Sequence, residues 1–395
     1  MFASISLTDF LSFGPGTSRF ELRPLNVLIG PNGSGKSNLV EAFALLRSVR
    51  SDLPKPVRKG GGVDEWLFRD ATHRSTEASL EVLFRPSVVH PRTEGGGVRY
   101  RLRFGSEAGA FVVLDERVEN ERGIGPGETQ PYFFFGYEKG RPMINVSGQD
   151  RPRALQRADI DRTQSILSQR RDPESYPEMT RVGDLLSEIS IYRSWAFGPD
   201  APIRAPCRAD AAGVALDEDF SNLPARLAMI KRDPANKRRL LTLLRELSGD
   251  YSDIEVTPED GRLQLYVTDR DRNVPAHRLS DGTLRYLALV AILLDSRDDR
   301  CIVIEEPELG LHPDLFPALR ELMLDASTRA QLVVTTHSTQ LVDAMTEHPE
   351  CIVVCERGAG GTSLTRLDAE AVSRWSEFGS LGAHWTSGRI GGTRW

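Results

Sequence analysis

Apolar positions along the chain follow three different rhythms. Near the N-terminus they form strand-length runs, so residues 3–10 and 20–29 read as two strands separated by Gly14-Pro15-Gly16, the second ending in Leu25-Asn26-Val27-Leu28-Ile29. Leu39, Val40, Phe43 and Leu46 then recur at helical spacing, which makes the residues between a loop that joins strand to helix. From about 77 to 147 the chain breaks into short β-rich segments, 79–85, 98–104, 111–118 and 132–137, divided by turn residues. Their connections are too short for crossover helices, which predicts an antiparallel β lobe. Residues 150–250 read as mostly helical, clearest at 181–191 and 223–247, with many interrupting prolines and no sustained heptad repeat. A hairpin at 254–256 and 263–267 is expected to return the chain to the core. From 276 onward helices (284–294, 315–324) alternate with apolar strands (301–304, 332–335, 351–355), which predicts an α/β core with a largely parallel sheet.

These rhythms divide the chain into a first part of the α/β core (1–50), an antiparallel β lobe (51–148), a mostly helical insertion (149–275), the second part of the core (276–367) and a tail (368–395). The stretch 55–62, rich in proline, glycine and positive charge, is expected to be an exposed connector. At 395 residues, with 39% hydrophobic and 27% charged content, the composition is that of an ordinary globular protein. No apolar run approaches membrane-spanning length and the N-terminus lacks a signal-type core, so a cytoplasmic location without membrane insertion is expected. A net charge of −6 argues against coating of nucleic acid by the whole surface; any DNA or RNA contact must be a local patch. Arg151, Arg153, Arg157, Arg162, Arg170 and Arg171 are interleaved with Asp150, Asp159, Asp161 and Asp172, so they read as a solvated helical face rather than such a patch. Cys207, Cys301, Cys351 and Cys355 are too scattered for a disulfide framework, and the last two read as core residues bracketing a strand.

Chemistry concentrates at three strand ends. Gly30-Pro31-Asn32-Gly33-Ser34-Gly35-Lys36-Ser37 fits the pattern G-x-x-x-x-G-K-[ST] at every fixed position, in the strand-to-helix context that a phosphate loop requires. The glycines let backbone N–H groups turn inward around phosphates at a helix N-terminus; Lys36 would reach the β- and γ-phosphates and Ser37 would give its hydroxyl to Mg²⁺. The strand 301–304 runs into Glu305 and Glu306, of which the first would bind Mg²⁺ through water and the second would orient the attacking water. The strand 332–335 leads to His337, within reach of a γ-phosphate, where an imidazole can hydrogen-bond the transferring group. Leu279-Ser280-Asp281-Gly282-Thr283 opens a helix and offers a hydroxyl and free N–H groups to an anion, although alone it is only a good helix cap.

Together these residues resemble the ABC-type ATPase superfamily in its RecF, SMC and OLD-like branch: Walker A at 30–37, signature at 279–283, Walker B at 301–306, a D-loop from Pro307 to Pro313, and His337 as the switch. The resemblance implies an ABC-ATPase-like head with a RecA-like, mostly parallel sheet, ATP and Mg²⁺ as cofactors, and Asn38 as a further nucleotide contact. It also implies a head-to-head homodimer in which Ser280, Asp281 and Gly282 of one subunit close on ATP held by the other. The missing coiled coil argues against the SMC branch, and the 58 residues after His337 are too few for the nuclease domain of OLD proteins. The ending 381–385 and 391–395 looks like the tail of compact bacterial ATPases found beside effector genes in mobile or phage-defence loci. Gln130, Gln149 and Gln169 all lie too far beyond the first helix to be assigned as the Q-loop glutamine.

The first functional expectation is an ATP-dependent dimerising switch that senses or clamps nucleic acid and controls a separate effector. A transporter subunit, a nuclease and a non-hydrolysing scaffold are the alternatives. The Glu305-Glu306 pair and the large middle region speak against the first of these, the lack of a second acidic constellation against the next, and intact Glu306 and His337 against the last. Trp375, Trp385 and Trp395 in the tail are either a docking surface for the effector or core residues. Because Asp343, Glu347, Glu350, Glu356, Asp368, Glu370 and Glu377 show no D-x-D pairing, the purified chain should hydrolyse ATP but cut neither DNA nor RNA. A metal-dependent nuclease assay on protein free of co-purified polypeptides checks this, and robust cleavage by wild type would overturn the switch-plus-effector reading.

Overall fold

A computed structural model describes the chain except for residues 17–18, 90–95, 124–129, 150, 212–214, 296, 299, 374–378 and 393–395. Its centre is a six-stranded sheet in the order Ser190–Tyr192, Cys301–Glu305, Gln331–Thr335, Leu25–Ile29, Ile352–Gly358, Gly361–Arg366. The pairs are parallel except for the last hairpin. The strands read as continuous apolar runs because both faces are covered, so alternate residues enter different layers. Leu28, Val303, Val333 and Val353 join the cluster that holds the helix Lys36–Ser48. Val27, Ile302, Val334 and Ile352 join the cluster of the helices Asp281–Leu293 and Phe316–Ser327. The mixed α/β architecture with a mostly parallel core and an antiparallel lobe is the one expected.

The lobe is an eight-stranded sheet built on the long antiparallel strands Glu77–Phe84, Val98–Glu107 and Ala110–Asn120, and the first strand, Phe2–Thr8, pairs with it along Glu77–Phe84. A smaller sheet combines the hairpin Tyr251–Glu259 and Arg262–Asp269 with Arg272–Pro275 and Cys207–Arg208. The four cysteines are buried and free.

Several local expectations are corrected. Residues 20–29 are two strands, Phe20–Glu21 and Leu25–Ile29, because the Asn26 side chain binds both the N–H and the carbonyl of Arg23 and turns the chain before Pro24. The stretch 181–191 is not all helix. The helix Pro177–Ser187 ends, and Ser190–Tyr192 becomes the edge strand beside Cys301–Glu305. The segment 223–247 is split into Leu223–Ile230 and Pro234–Leu247, where Pro234 starts the second helix and Asp233 caps it by accepting from Asn236 N–H. The expected connector contains a helical turn, Lys55–Lys59, whose Val57 is buried, followed by Trp66 packed edge-on against Phe10 at 5.6 Å. The arginine run 151–171 is not one helical face: Arg153 lies exposed in a two-residue strand, Arg162 pairs with Glu107 at 2.6 Å, and Arg170 bonds the Gln169 carbonyl at 3.0 Å. Asp150 lies outside the described residues.

One buried acid ties the lobe to the segment that follows it. Glu116 accepts from the Tyr100 hydroxyl at 2.8 Å, from Ser165 Oγ and from the Ile166 N–H at 2.8 Å, where a short helix begins. Burial pushes its carboxyl up to about 7 against the opposing effect of those hydrogen bonds. A carboxyl whose folded value is raised stabilises the native state below its unfolded value and loses that contribution as pH rises through the folded value. Stability should therefore fall between the ordinary 4.5 and about 7, by up to about 3 kcal/mol. Glu116→Gln should flatten that slope, which denaturant midpoints measured across this range will show.

Candidate nucleotide site

The loop after Leu25–Ile29 is shaped by glycines that no other residue replaces. Gly30 sits at φ +147°, where a Cβ would lie 2.3 Å from the Cys355 carbonyl oxygen, and Gly35 at φ +106°, where it would lie 2.2 Å from Thr362 Oγ1. Gly33 is also left-handed, at φ +80°, but faces open space. Gly35 is the N-cap of the helix Lys36–Ser48 and brings no side-chain cap, so that end keeps its N–H groups for a ligand. The buried Ser34 hydroxyl has no hydrogen-bond partner among the described residues. Lys36 Nζ donates to the loop's own carbonyls, Gly30 at 2.6 Å and Pro31 at 3.0 Å. Burial lowers its pKa, while Cys355, Glu306 and Glu305 oppose the shift. An ammonium and an unpartnered hydroxyl beside a free helix end fit an anionic phosphate.

Asn38 is turned away from that cradle. Its amide donates to Ser12 Oγ at 2.7 Å, and Thr362 Oγ1 bonds the same Ser12 oxygen at 2.7 Å and the Ser34 carbonyl at 2.9 Å. These three side chains brace the loop from behind.

The two acids part at the strand end. Glu305 accepts from the Ser37 hydroxyl; burial raises its carboxyl, and this bond and Arg193 oppose the shift. The pair is a hard-oxygen set of the kind Mg²⁺ prefers. Glu306 adopts φ +49°, a left-handed conformation uncommon for a side chain of this kind, and its N–H bonds the Thr335 carbonyl at 2.9 Å. Its carboxylate thereby faces His337, Nε2 to Oε1 at 3.8 Å. Burial and then Lys36 lower the imidazole's pKa, with Glu306 opposing.

Glu308, within the loop 307–313, supports the site through a contact that the sequence does not show. Its Oε1 accepts from the Thr336 hydroxyl at 2.5 Å and from the His337 N–H at 3.1 Å, fixing the backbone that presents the imidazole. Trp195 is another: its indole donates to the Glu305 carbonyl at 2.6 Å, and the buried Arg285 lies over its ring at 4.8 Å. Glu308 lies in the loop 307–313 without an assigned role and Trp195 lies in no motif, so only the fold shows what each supports. The strand Ser190–Tyr192 next to the acids leads into Arg193-Ser194-Trp195 rather than a glutamine, and Gln169 is committed to the Asp161, Gln164 and Ser165 carbonyls of its own segment.

Ser280, Asp281 and Gly282 form a separate group. Ser280 caps the helix Asp281–Leu293 by accepting from the Thr283 N–H at 3.1 Å; Asp281 pairs with Arg204; and a Cβ on Gly282 would stand 3.0 Å from the Gly310 carbonyl oxygen. Among the described residues no hydrogen bond or ion pair joins them to the phosphate loop of the same chain.

A glycine-lined phosphate loop, two acids at the end of the next strand but one, a histidine after the strand between, and a helix opened by Ser280 to Gly282 that makes no hydrogen bond to the loop among the described residues define an ABC-type ATPase domain of the SMC and RecF kind. The chain belongs to the family described as "AAA domain, putative AbiEii toxin, Type IV TA system", which matches residues 25–343. It is 26% identical over 204 residues to the chromosome partition protein Smc of Rhodopirellula baltica, a match covering 48% of this chain and only 17% of that one. With the DNA replication and repair protein RecF of Allorhizobium ampelinum it shares 25% identity over 326 residues, covering 73% of this chain and 78% of the relative. The crystal structure of an Smc head bound to the C-terminal winged-helix domain of ScpA superposes with a TM-score of 0.59 at 15% identity, covering 94% of this chain and 99% of that one. Among the described residues no helix is long and apolar enough to cross a membrane.

Lys36→Ala should abolish nucleotide binding in a fluorescent-analogue titration, whereas Glu306→Gln should bind normally and turn over at least about 100-fold more slowly. Equal loss of binding in both variants would make Glu306 a structural residue.

Proposed function

We propose that this chain is an ATP-binding and ATP-hydrolysing switch that works as a homodimer and controls a separate effector, in a setting of nucleic-acid sensing or defence. The observation that carries the reading is the separation of the two half-sites. Residues 30–37 hold the means to bind a nucleotide, yet Ser280 to Gly282 lie beside Gly310 instead, next to Leu309, which is 47% exposed in the loop 307–313. A second copy would bring its signature helix and this loop to the nucleotide, and would cover an apolar side chain that the monomer leaves in water.

In this reading Gly30 to Ser37 hold the phosphates of ATP, and Ser37 with Glu305 holds a magnesium ion, which supplies charge neutralisation at the phosphates. Lys36 exchanges its loop carbonyls for phosphate oxygens. Glu306, aimed at His337 by its left-handed backbone, orients water, and the neutral imidazole offers a hydrogen bond without adding charge. The RecF and Smc relatives favour nucleic acid as the sensed ligand, and the family's description favours a defence setting over transport.

Nucleotide-stabilised dimers are expected, strongest in Glu306→Gln, and Ser280→Arg should block them by placing a long cation where the second copy's phosphates would approach the helix end. Light scattering across a nucleotide series reads the result; a monomer in every state overturns the sandwich.

A further inference from the structure

The C-terminal tail makes two contacts that the ATPase reading does not use. At its first end the helix Leu381–Thr386 lies on the helix Thr339–Ala344, which begins directly after His337 and is capped by Ser338. The Gly382 N–H donates to Asp343 Oδ1 at 2.6 Å, and a Cβ at Gly382 would stand 2.4 Å from the Thr339 carbonyl oxygen, so backbone rests on backbone there. At its other end the chain turns through Gly388, Gly391 and Gly392, all left-handed at φ +75°, +75° and +71°. Gly392 is then held from both sides: its carbonyl accepts from the buried Trp385 indole at 3.0 Å, and its N–H donates to Glu356 Oε1 at 2.9 Å. A Cβ on Gly392 would lie 3.5 Å from the Cα of Gly30, the first residue of the phosphate loop. Trp385 is thus a core residue and not an exposed docking ring, while Trp375 and Trp395 lie outside the described residues.

We propose that residues 380–392 are a strap that sets the position of the phosphate loop relative to the helix that follows the switch histidine, with Trp385, Glu356 and Asp343 as positioning residues for ATP turnover. This rests on the ATPase reading above. The physical argument is the lack of slack at either end. A phosphate competes for Lys36 with the Gly30 and Pro31 carbonyls, and so acts on the residue beside which Gly392 of the strap packs. At that end Glu356 holds Gly392 while the Trp385 bond closes the strap on itself, and at the other end Asp343 holds Gly382, so displacement at one end is passed to the other.

The two ends predict different kinetic signatures. Trp385→Phe keeps the buried ring but removes the N–H that holds Gly392, and should raise KM for ATP roughly 3- to 10-fold. Glu356→Ala, at an exposed position, reaches the same residue without touching the core and should do likewise. Asp343→Ala frees the switch-helix end and should lower kcat by a similar factor with KM nearly unchanged. Steady-state kinetics and fluorescent-ATP titrations on the three full-length variants, with thermal midpoints alongside, decide the matter. Variants that melt earlier but keep wild-type KM and kcat overturn the strap alone. A wild-type protein that binds no nucleotide overturns the ATPase reading and the strap with it.

Discussion

Holding one ammonium group out of water organises the centre of this molecule. Lys36 is 6% exposed, and a buried charge of that kind is tolerated only with oxygen around it. The oxygens come from the Gly30 and Pro31 carbonyls, which turn toward the amine because Gly30 adopts a backbone angle closed to other residues against the Cys355 carbonyl. Keeping that turn in place needs support from behind. Ser12, Asn38 and Thr362 supply it from three distant parts of the sequence through one shared hydroxyl. Asn38, expected to contact the nucleotide, braces the loop through Ser12.

Burial biases Lys36, Glu305 and His337 toward their neutral forms. Burial lowers Lys36 and His337 and raises Glu305. The site is buried at Lys36 and half-open at Glu306 and His337, so charges on its inner side are screened less than those at its mouth. Glu308 acts on the backbone: a single buried carboxylate oxygen fixes both Thr336 and His337.

What could be read from the sequence was whatever repeats locally. The phosphate loop, the acid pair and the switch histidine were legible because each follows an apolar run whose burial on both faces leaves a plain signature, as Val27 and Leu28 show by entering opposite layers. Ser190–Tyr192 was not legible: three residues are too few for a period of two to stand out beside the helix before them. Glu308, Trp195 and Arg285 acquire their roles only from partners far away in sequence, and no spacing rule records that. The tail was ambiguous for the same reason. Whether Trp385 faces solvent or Gly392 depends on left-handed glycine turns whose direction composition alone leaves open.

The strand order carries a consequence for how the protein comes into being. Leu25–Ile29 lies in the middle of the parallel sheet, between Gln331–Thr335 and Ile352–Gly358, and Phe2 is clasped through its N–H and carbonyl by the Gln331 side chain. During synthesis the first strand of the core leaves the ribosome long before either neighbour exists, so it must wait as an unpaired apolar segment while more than three hundred residues are added. Pairings of such sequence separation close slowly because their loop entropy is lost before contact energy is gained. The lobe, whose long strands are near neighbours in sequence, can assemble meanwhile. A nascent chain stopped short of residue 331 therefore contains the complete phosphate loop but none of the strands that flank it, and the loop gains its scaffold only once residues 331–358 have been added.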